Sequence, residues 1–504
     1  MKLDLGNRHQ RNLDGELLNP AGRGRVRIVA GTAFAQTQGG QHLLWMLVNL
    51  LARQYGVVAS IEIAVPAVEL NPFTAPFGNG SDLQTALADM ARLVAAGQMH
   101  IRTASPTDER HCATVECVGV PNSTWSATAD GWNLHVGPGQ IPEALPSSSL
   151  SIGPYFAACI LASEVFKTIR GYDASRRRLT PVAMSLWAFQ TYDDVSQAPQ
   201  GPTVPRGIGP IPLPYLVGAG AVGQALAATF VTSRIGPSAV IVIDGDAIDE
   251  ELTNLNRYCL AVPSDKNRNK AELISEHLTR AGLQSFPFPL LWADYVQSGV
   301  HADLAPHIRA AERDGRYEYI ISCVDTNPSR HDLQRMWPRL IIGGSTNGMG
   351  AIVEIYSLGF GHECLMCSNP LDGERWTLEG EIARLQQLSD AERQAEALRI
   401  GVDPVLLTTY LRDPKCGALG EVELRRFQPS NSRHDWSVGF VSVGAGVMLA
   451  AVLLRYFSAP VDPDQPHAFR FSFETNRARR SQHRPSPECE CRKRGLDEWR
   501  RLWP

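Results

Sequence analysis

The stretch Leu216-Val217-Gly218-Ala219-Gly220-Ala221-Val222-Gly223 constrains this chain more than any other. An apolar strand, Ile211 to Val217, runs into a G-x-G-x-x-G turn, and the apolar stretch Gln224 to Val231 beyond it has the character of a helix. A strand, glycine turn and helix in succession let backbone amides at the helix start face a phosphate, and they commit the surrounding chain to a layered α/β sheet. The next strand, Ala239 to Ile243, ends in Asp244-Gly245-Asp246, which puts a carboxylate where a ribose hydroxyl would lie. Turns of this kind suit NAD, FAD and ATP alike, and some only pack a helix closely on a sheet.

The segments that follow are unlike a dehydrogenase. They read Asn254-Leu255-Asn256-Arg257, then Lys270 in Asp265-Lys-Asn-Arg-Asn-Lys-Ala271, then Cys323-Val324-Asp325-Thr326-Asn327 with Arg330 beyond. Taken singly, an arginine or lysine is a solvated surface charge and an aspartate after a strand is a helix cap. Taken in order, these residues make the chain resemble the ubiquitin-activating-enzyme superfamily, which includes the adenylating enzymes of molybdopterin and thiamin biosynthesis. The family pattern is a strand ending in Asp-x-Asp, a box Asn-x-x-Arg, a lysine, and Thr-Asp-Asn followed by an arginine. This chain departs from it in a small extra length between Asp246 and Asn254 and in reading Val-Asp-Thr for Thr-Asp-Asn. Asp244 and Asp246 thus both remain candidates for the ribose, with Asp244 favoured by its distance from the strand.

The resemblance implies an enzyme that uses ATP to activate a carboxylate. The carboxylate attacks the α-phosphate, and the charge growing on the phosphates needs fixed cations and a metal. On that reading Gly218, Gly220, Gly223 and Asn254 line the nucleotide, Arg257 and Lys270 clamp its phosphates, and Asp325 holds magnesium. Lysine is scarce, with six in the chain, which makes Lys270 in this place more telling.

The first half repeats the plan without that chemistry. Arg25 to Gly31 reads as a strand, Gln41 to Tyr55 as an apolar helix and Ala59 to Val65 as a second strand. Thr32 to Gly40 replaces the compact glycine turn, and the second strand ends in Pro66 with no carboxylate. Gly153 to Lys167 resembles Phe440 to Leu454 in the second half, and such stretches close each Rossmann-like unit in the family. The closing stretch of the second half is displaced by roughly a hundred residues, which marks an insertion before it. The expected fold class is α/β, with two Rossmann-like adenylation halves packed as a pseudo-dimer, a helical catalytic-cysteine insertion and a zinc site. Residues 1–195 form an inactive half, 196–206 a Pro/Gly-rich joint, and 207–504 an active half with the insertion at about 368–425. In the family an arginine finger reaches across from the partner half, and Arg8-His9-Gln10-Arg11-Asn12 resembles its Arg-Tyr-x-Arg-Gln, so Arg11 would reach the γ-phosphate.

Ten cysteines and a charged start, unlike a secretory leader, fit reduced thiols in a cytoplasm. Family members often carry a structural zinc on two C-x-x-C pairs, matched here by Cys364-Leu-Met-Cys367 and the tighter Cys489-Glu-Cys491. Between the pairs lies Asp413-Pro-Lys-Cys416-Gly-Ala-Leu-Gly420, where ubiquitin activators place the cysteine that takes the acyl group as a thioester. Lys415 would stabilise the Cys416 thiolate, and Gly and Pro suit an exposed loop. Glu379 to Ile400 reads as a helix beside it. Cys112, Cys117, Cys159, Cys259 and Cys323 read as packing.

A net charge of −4 and a pI of about 6.4 give no sign of nucleic-acid or anionic-membrane binding, although Arg477 to Arg501 is locally basic. The longest apolar run, Val438 to Leu454, falls short of a membrane span and reads as a buried helix. The implied partners are a ubiquitin-like protein ending in glycine and a conjugating enzyme, as in the bacterial systems of this kind. Two alternatives stand: adenylation of a sulfur carrier or peptide without a thioester, and, in another class, an NAD-binding oxidoreductase or a non-catalytic scaffold.

Overall fold

The computed structural model describes residues 19, 22–72, 80, 82–106, 111–141, 145–172, 181–202, 213–249, 252, 254–299, 303–370, 378–400, 402–412, 438–458, 465–487 and 489–504. Arg11 and Cys416 lie outside them, as do Ile211 and Pro212 of the expected strand.

Short β-branched and aliphatic runs build two sheets. The first holds β1 (Gly24–Ala30), β2 (Val58–Ala64), β3 (His100–Thr103), β4 (Ala113–Val118), β5 (Thr124–Asp130), β6 (Asn133–Pro138), β7 (Val182–Ser185) and β8 (Gln190–Tyr192), in the order β3-β2-β1-β4-β5-β6-β7-β8. The second holds β9 (Tyr215–Val217), β10 (Ala239–Ile243), β11 (Gln284–Phe288), β12 (Tyr319–Ser322), β13 (Leu340–Asn347), β14 (Gly350–Tyr356), β15 (Ala468–Ser472) and β16 (Arg477–Ser481), in the matching order β11-β10-β9-β12-β13-β14-β15-β16. In the second sheet β9 to β13 run parallel and β14 to β16 alternate. Leu213 and Pro214 of the expected strand precede β9, and Pro214 has no N–H to give a ladder.

The two sheets differ in direction at one place. β12 is parallel to β9, whereas its counterpart β4 is antiparallel to β1. The connections explain this, since a parallel return needs a crossover of a dozen or more residues. Residues 289–318 supply one with α7 (Trp292–Ser298) and α8 (Pro306–Arg313), while residues 104–112 are too few.

Helices cover the sheets. In the first half they are α1 (Thr32–Gln36), α2 (Gln38–Ala52), α3 (Leu83–Ala95) and α4 (Ile152–Arg170). In the second they are α5 (Ala221–Ser233), α6 (Lys270–Arg280), α9 (Asn327–Gln334), the single turn α10 (Leu365–Ser368), and a closing helix, Gly439–Ser458. One apolar core runs through both sheets. Where α4 meets the second half, Phe156 packs on Phe471 with ring centroids 4.8 Å apart, and Phe166 on Phe440 at 5.8 Å. Gly446 lets the closing helix approach α5, since a Cβ there would fall 2.4 Å from the Ala225 methyl and 2.6 Å from the Val222 carbonyl. The small residues of this apolar run serve close packing.

The closing helix spans 20 residues, longer than the apolar run predicted. It and α4 are long and apolar enough to cross a bilayer, yet 83% and 94% of their apolar windows are buried inside the protein.

Contacts divide the chain into two units, residues 370–435 and the remainder. The smaller unit contains α11 (Leu378–Gln387), α12 (Asp390–Ile400) and α13 (Pro404–Arg412) around Leu385, Ala397, Leu407 and Tyr410. The single helix expected over 379–400 is two. Ser389 accepts from Glu392 N–H at 3.3 Å, and the Glu392 carboxylate accepts from Ser389 N–H at 2.8 Å, a capping box that starts α12 afresh.

Candidate functional site

The glycine turn forms because no other residue fits its opening. Gly218 sits at φ +97°, and a Cβ there would lie 2.7 Å from the Cys323 carbonyl group and 3.0 Å from Val324 N at the end of β12. A Cβ on Gly223 would lie 2.3 Å from the Gly218 oxygen, so the turn closes tightly on itself. Gly220 caps α5, and a Cβ there would meet nothing within 4 Å. The amino end of α5 is therefore an open, anion-ready start at the carboxyl ends of β9 and β10.

Around it the structure gathers several of the predicted residues. Asp244 accepts from Ala219 N–H at 2.6 Å and from Asp246 N–H at 2.8 Å, so its carboxylate braces the glycine turn. Burial raises its pKa, against the pull of Lys270. Asp246 is exposed and pairs with Lys270 Nζ at 2.8 Å, while the lysine is 12% exposed. Burial works against the Lys270 ammonium, but Tyr258, Asp244 and Asp246 together hold its pKa above the ordinary value. Tyr258 is held above the ordinary phenol range by burial, with Lys270 and Arg257 both close enough to oppose the shift. Arg257 is half-buried, next to Tyr258 in the chain. Asn254 donates to Asp249 at 3.3 Å. Asp325 is exposed just past β12, ahead of α9, where Arg330 donates to Asn327 at 2.8 Å and to Asn369 at 2.9 Å.

One contributor escaped the sequence reading. Asn269 caps α6 by accepting from Ala271 N–H at 2.8 Å, and its amide donates to the Asp244 and Asp246 carbonyls at 3.0 and 3.1 Å. It locks Lys270 against the aspartate loop. An Asn directly before a helix is the pattern that could have shown it.

The four paired cysteines converge. Cys364 lies 3.6 Å from both Cys367 and Cys489, and Cys367 lies 3.5 Å from Cys491. Four thiolates on a tetrahedral zinc would stand about 3.8 Å apart, so this arrangement can hold one with little movement. The Cys367 thiol is pushed far down by the neighbouring thiols of Cys364 and Cys491, as expected where crowded thiols share an anionic position. Trp499 and Trp503 secure the segment above the cluster by donating to the Pro338 and Trp337 carbonyls, each at 3.0 Å. The other described cysteines pack as expected. Cys159 and Cys259 are fully buried, and burial raises both pKa values.

A doubly wound sheet with an open glycine turn, two aspartates and a largely buried lysine at its carboxyl edge has the architecture of a Rossmann-like α/β protein. Residues 214–493 match the ThiF family, more than half of the chain, and the protein belongs to that family. Residues 25–186 match the BilD N-terminal domain. The chain is similar to uncharacterized protein y4jF of Sinorhizobium fredii, at 25% identity over 378 residues. That match takes in 68% of this chain and 66% of y4jF, so it spans just under two thirds of that relative. Among solved structures it is similar to E. coli MccB with MccA-N7isoASN, at 16% identity over 55% of this chain and 66% of that one, with a TM-score of 0.35. E. coli MccB with ATP gives 16% identity, 55% and 65% coverage and a TM-score of 0.34.

Proposed function

We propose that this protein activates a ubiquitin-like protein. On this reading the partner's carboxyl-terminal glycine attacks the α-phosphorus of ATP, forming the acyl-adenylate and releasing pyrophosphate. The Cys416 thiolate then attacks the acyl carbon, AMP leaves, and the thioester passes to a conjugating enzyme. The observation that carries the proposal is the grouping of the Gly218–Gly223 turn, Asp244, Asp246 and Lys270 at the carboxyl edge of the second sheet, with Arg257 beside Tyr258.

The braced Asp244 and the exposed Asp246 would meet the ribose and the cations around it, while Asn254, Arg257 and Lys270 would hold the phosphates. Asp325 would hold magnesium, which when bound neutralises charge growing on the phosphates. Arg11 would reach the γ-phosphate from the first half, which serves as the inactive member of an internal pseudo-dimer. Cys364, Cys367, Cys489 and Cys491 would hold a structural zinc, and the unit at 370–435 would present Cys416.

The test incubates wild type and Cys416→Ala with MgATP and small ubiquitin-like proteins ending in glycine, then runs non-reducing gels beside a pyrophosphate assay. A thiol-sensitive band in the wild type alone, with pyrophosphate from both, is expected. Pyrophosphate from both without a band would leave adenylation of a protein or peptide as the whole reaction. Neither product would overturn the proposal.

A further inference from the structure

The segment 254–261 carries Asn254 and Arg257, and much of its backbone is gripped from the other half of the chain. Arg53, 1% exposed and one residue past α2, donates to the Leu255 carbonyl at 2.8 Å and to the Ala261 carbonyl at 2.7 Å. Its Nε donates to the Asn49 side chain at 2.7 Å, one turn earlier on α2, and Asn49 donates to the Cys259 carbonyl at 2.9 Å. Tyr55, fully buried, packs into a cluster with Ala221 of the glycine turn and with Leu252, Leu255, Tyr258 and Ala261. On its other side the segment meets Gln224, directly after the last glycine of the turn, whose side-chain amide oxygen accepts from Ala261 N–H at 3.1 Å. Ala261 is therefore held at its carbonyl by the first half and at its amide by the nucleotide turn.

Burying a guanidinium against carbonyls costs stability, and burial depresses the Arg53 pKa, with Tyr55, Cys259 and Asp265 opposing. An apolar side chain would fill the same space at less cost, but it would leave the Leu255 and Ala261 carbonyls buried without these donors.

We infer that the half without a nucleotide site acts as a positioning platform: Arg53, supported by Asn49, fixes the 254–261 backbone so that Arg257 meets the phosphates of bound ATP. Arg53 touches no substrate and is a positioning residue. The inference rests on the proposed ATP role of Arg257.

The experiment measures MgATP affinity by calorimetry for wild type, Arg53→Met, Arg257→Ala and the double variant, with thermal unfolding alongside. Each single change is expected to weaken MgATP about tenfold, and the double variant no more than about twofold beyond Arg257→Ala alone, because both act through one contact. Losses that multiply, or an Arg53→Met protein that binds as wild type, would overturn the inference. A wild type that does not bind MgATP would instead sink the adenylation reading itself. Should Arg53→Met fail to fold, Arg53→Lys, which can reach one carbonyl but not both, enters the same cycle with the same criteria.

Discussion

The two sheets share an order of strands and part at β4. In the second half β12 runs parallel to β9, so its carboxyl end arrives beside the glycine turn and delivers Cys323 and Val324 there, with Asp325 next in the chain. In the first half the reversed β4 brings its amino end to that edge, and no residue can follow the strand into the corresponding place. The crevice at the ends of β2 and β3 is occupied by the Gln84 side chain, which donates to the Val65 carbonyl at 2.7 Å and to the Ala104 carbonyl at 2.9 Å. A short connection thus leaves the first half without a counterpart of Asp325, and a glutamine side chain ties the ends of β2 and β3 together. What the first half retains is its α2 face, turned toward the Asn-x-x-Arg box of the other half. The comparison teaches that two sheets of one strand order can differ at one edge while remaining joined through another.

Four measurements would break or sharpen that contrast. The largest effect is expected where the halves join. Lys167 and Glu164 on α4, 0% and 1% exposed at their side chains, pair at 2.5 Å; Lys167 also donates to the Phe473 carbonyl at 2.7 Å, and Asn476 to Glu164 at 2.7 Å. Lys167→Met leaves a buried carboxylate short of its cation and should lower stability by about 3–5 kcal/mol in urea unfolding. One cooperative transition is expected for both halves; two separate ones would show that they do not share a core.

Next come paired changes at the two carboxyl edges. Lys270→Ala should lower pyrophosphate release with a glycine-terminated partner by about 10²–10³-fold, the loss typical of a fixed group facing developing charge. Gln84→Ala should cost about 1–3 kcal/mol in thermal stability, from carbonyls left unbonded, and leave the rate per folded molecule unchanged. A rate loss in Gln84→Ala would give the first half a part in the chemistry.

Acid should act on both halves alike. His42 in the first and His277 in the second are buried, and burial lowers each from 6.5 to about 4. As pH falls through 6.5 the unfolded chain takes up protons that the folded one refuses, so stability is complete above 6.5 and declines until about pH 4. Each histidine contributes up to about 3 kcal/mol to that decline. His42→Asn and His277→Asn should each flatten the stability-against-pH slope by one proton, and an unchanged slope would refute the assignment.

The smallest effects concern equivalent caps. Asp82 caps α3, accepting from Thr85 N–H at 3.0 Å, and Asn269 caps α6 in the corresponding place. Replacing either by Ala should cost about 1 kcal/mol of stability. Only Asn269→Ala should also weaken MgATP binding, because Lys270 follows it. Equal binding by both variants would remove Asn269 from the site.

Much of this was legible locally. The run Ala239 to Ile243 is a strand to the residue, because five aliphatic side chains in a row suit a sheet covered on both faces. The stretches 153–167 and 440–454 were matched to each other, and each lies within a long helix that extends a few residues beyond it. Cys364 and Cys367 were matched to Cys489 and Cys491 across more than a hundred residues, because thiols at such spacing have a known use. The reversal of β4 was not legible, because the short connection that imposes it joins β3 to β4, and neither strand was read from the sequence. Asn49 and Arg53 lay inside a segment read only as an apolar helix, and the polar residues interrupting it were the one sign available.

The sequence by itself determined the glycine turn, the acidic strand end, the cysteine pairs and the family they belong to, since each depends on residue type at short spacing. The tertiary structure alone decided which aspartate braces the turn, which carbonyls Arg53 reaches and which sheet edge stays open. Those are relations between segments far apart in the chain, set by packing the halves on one core, and no local pattern encodes them.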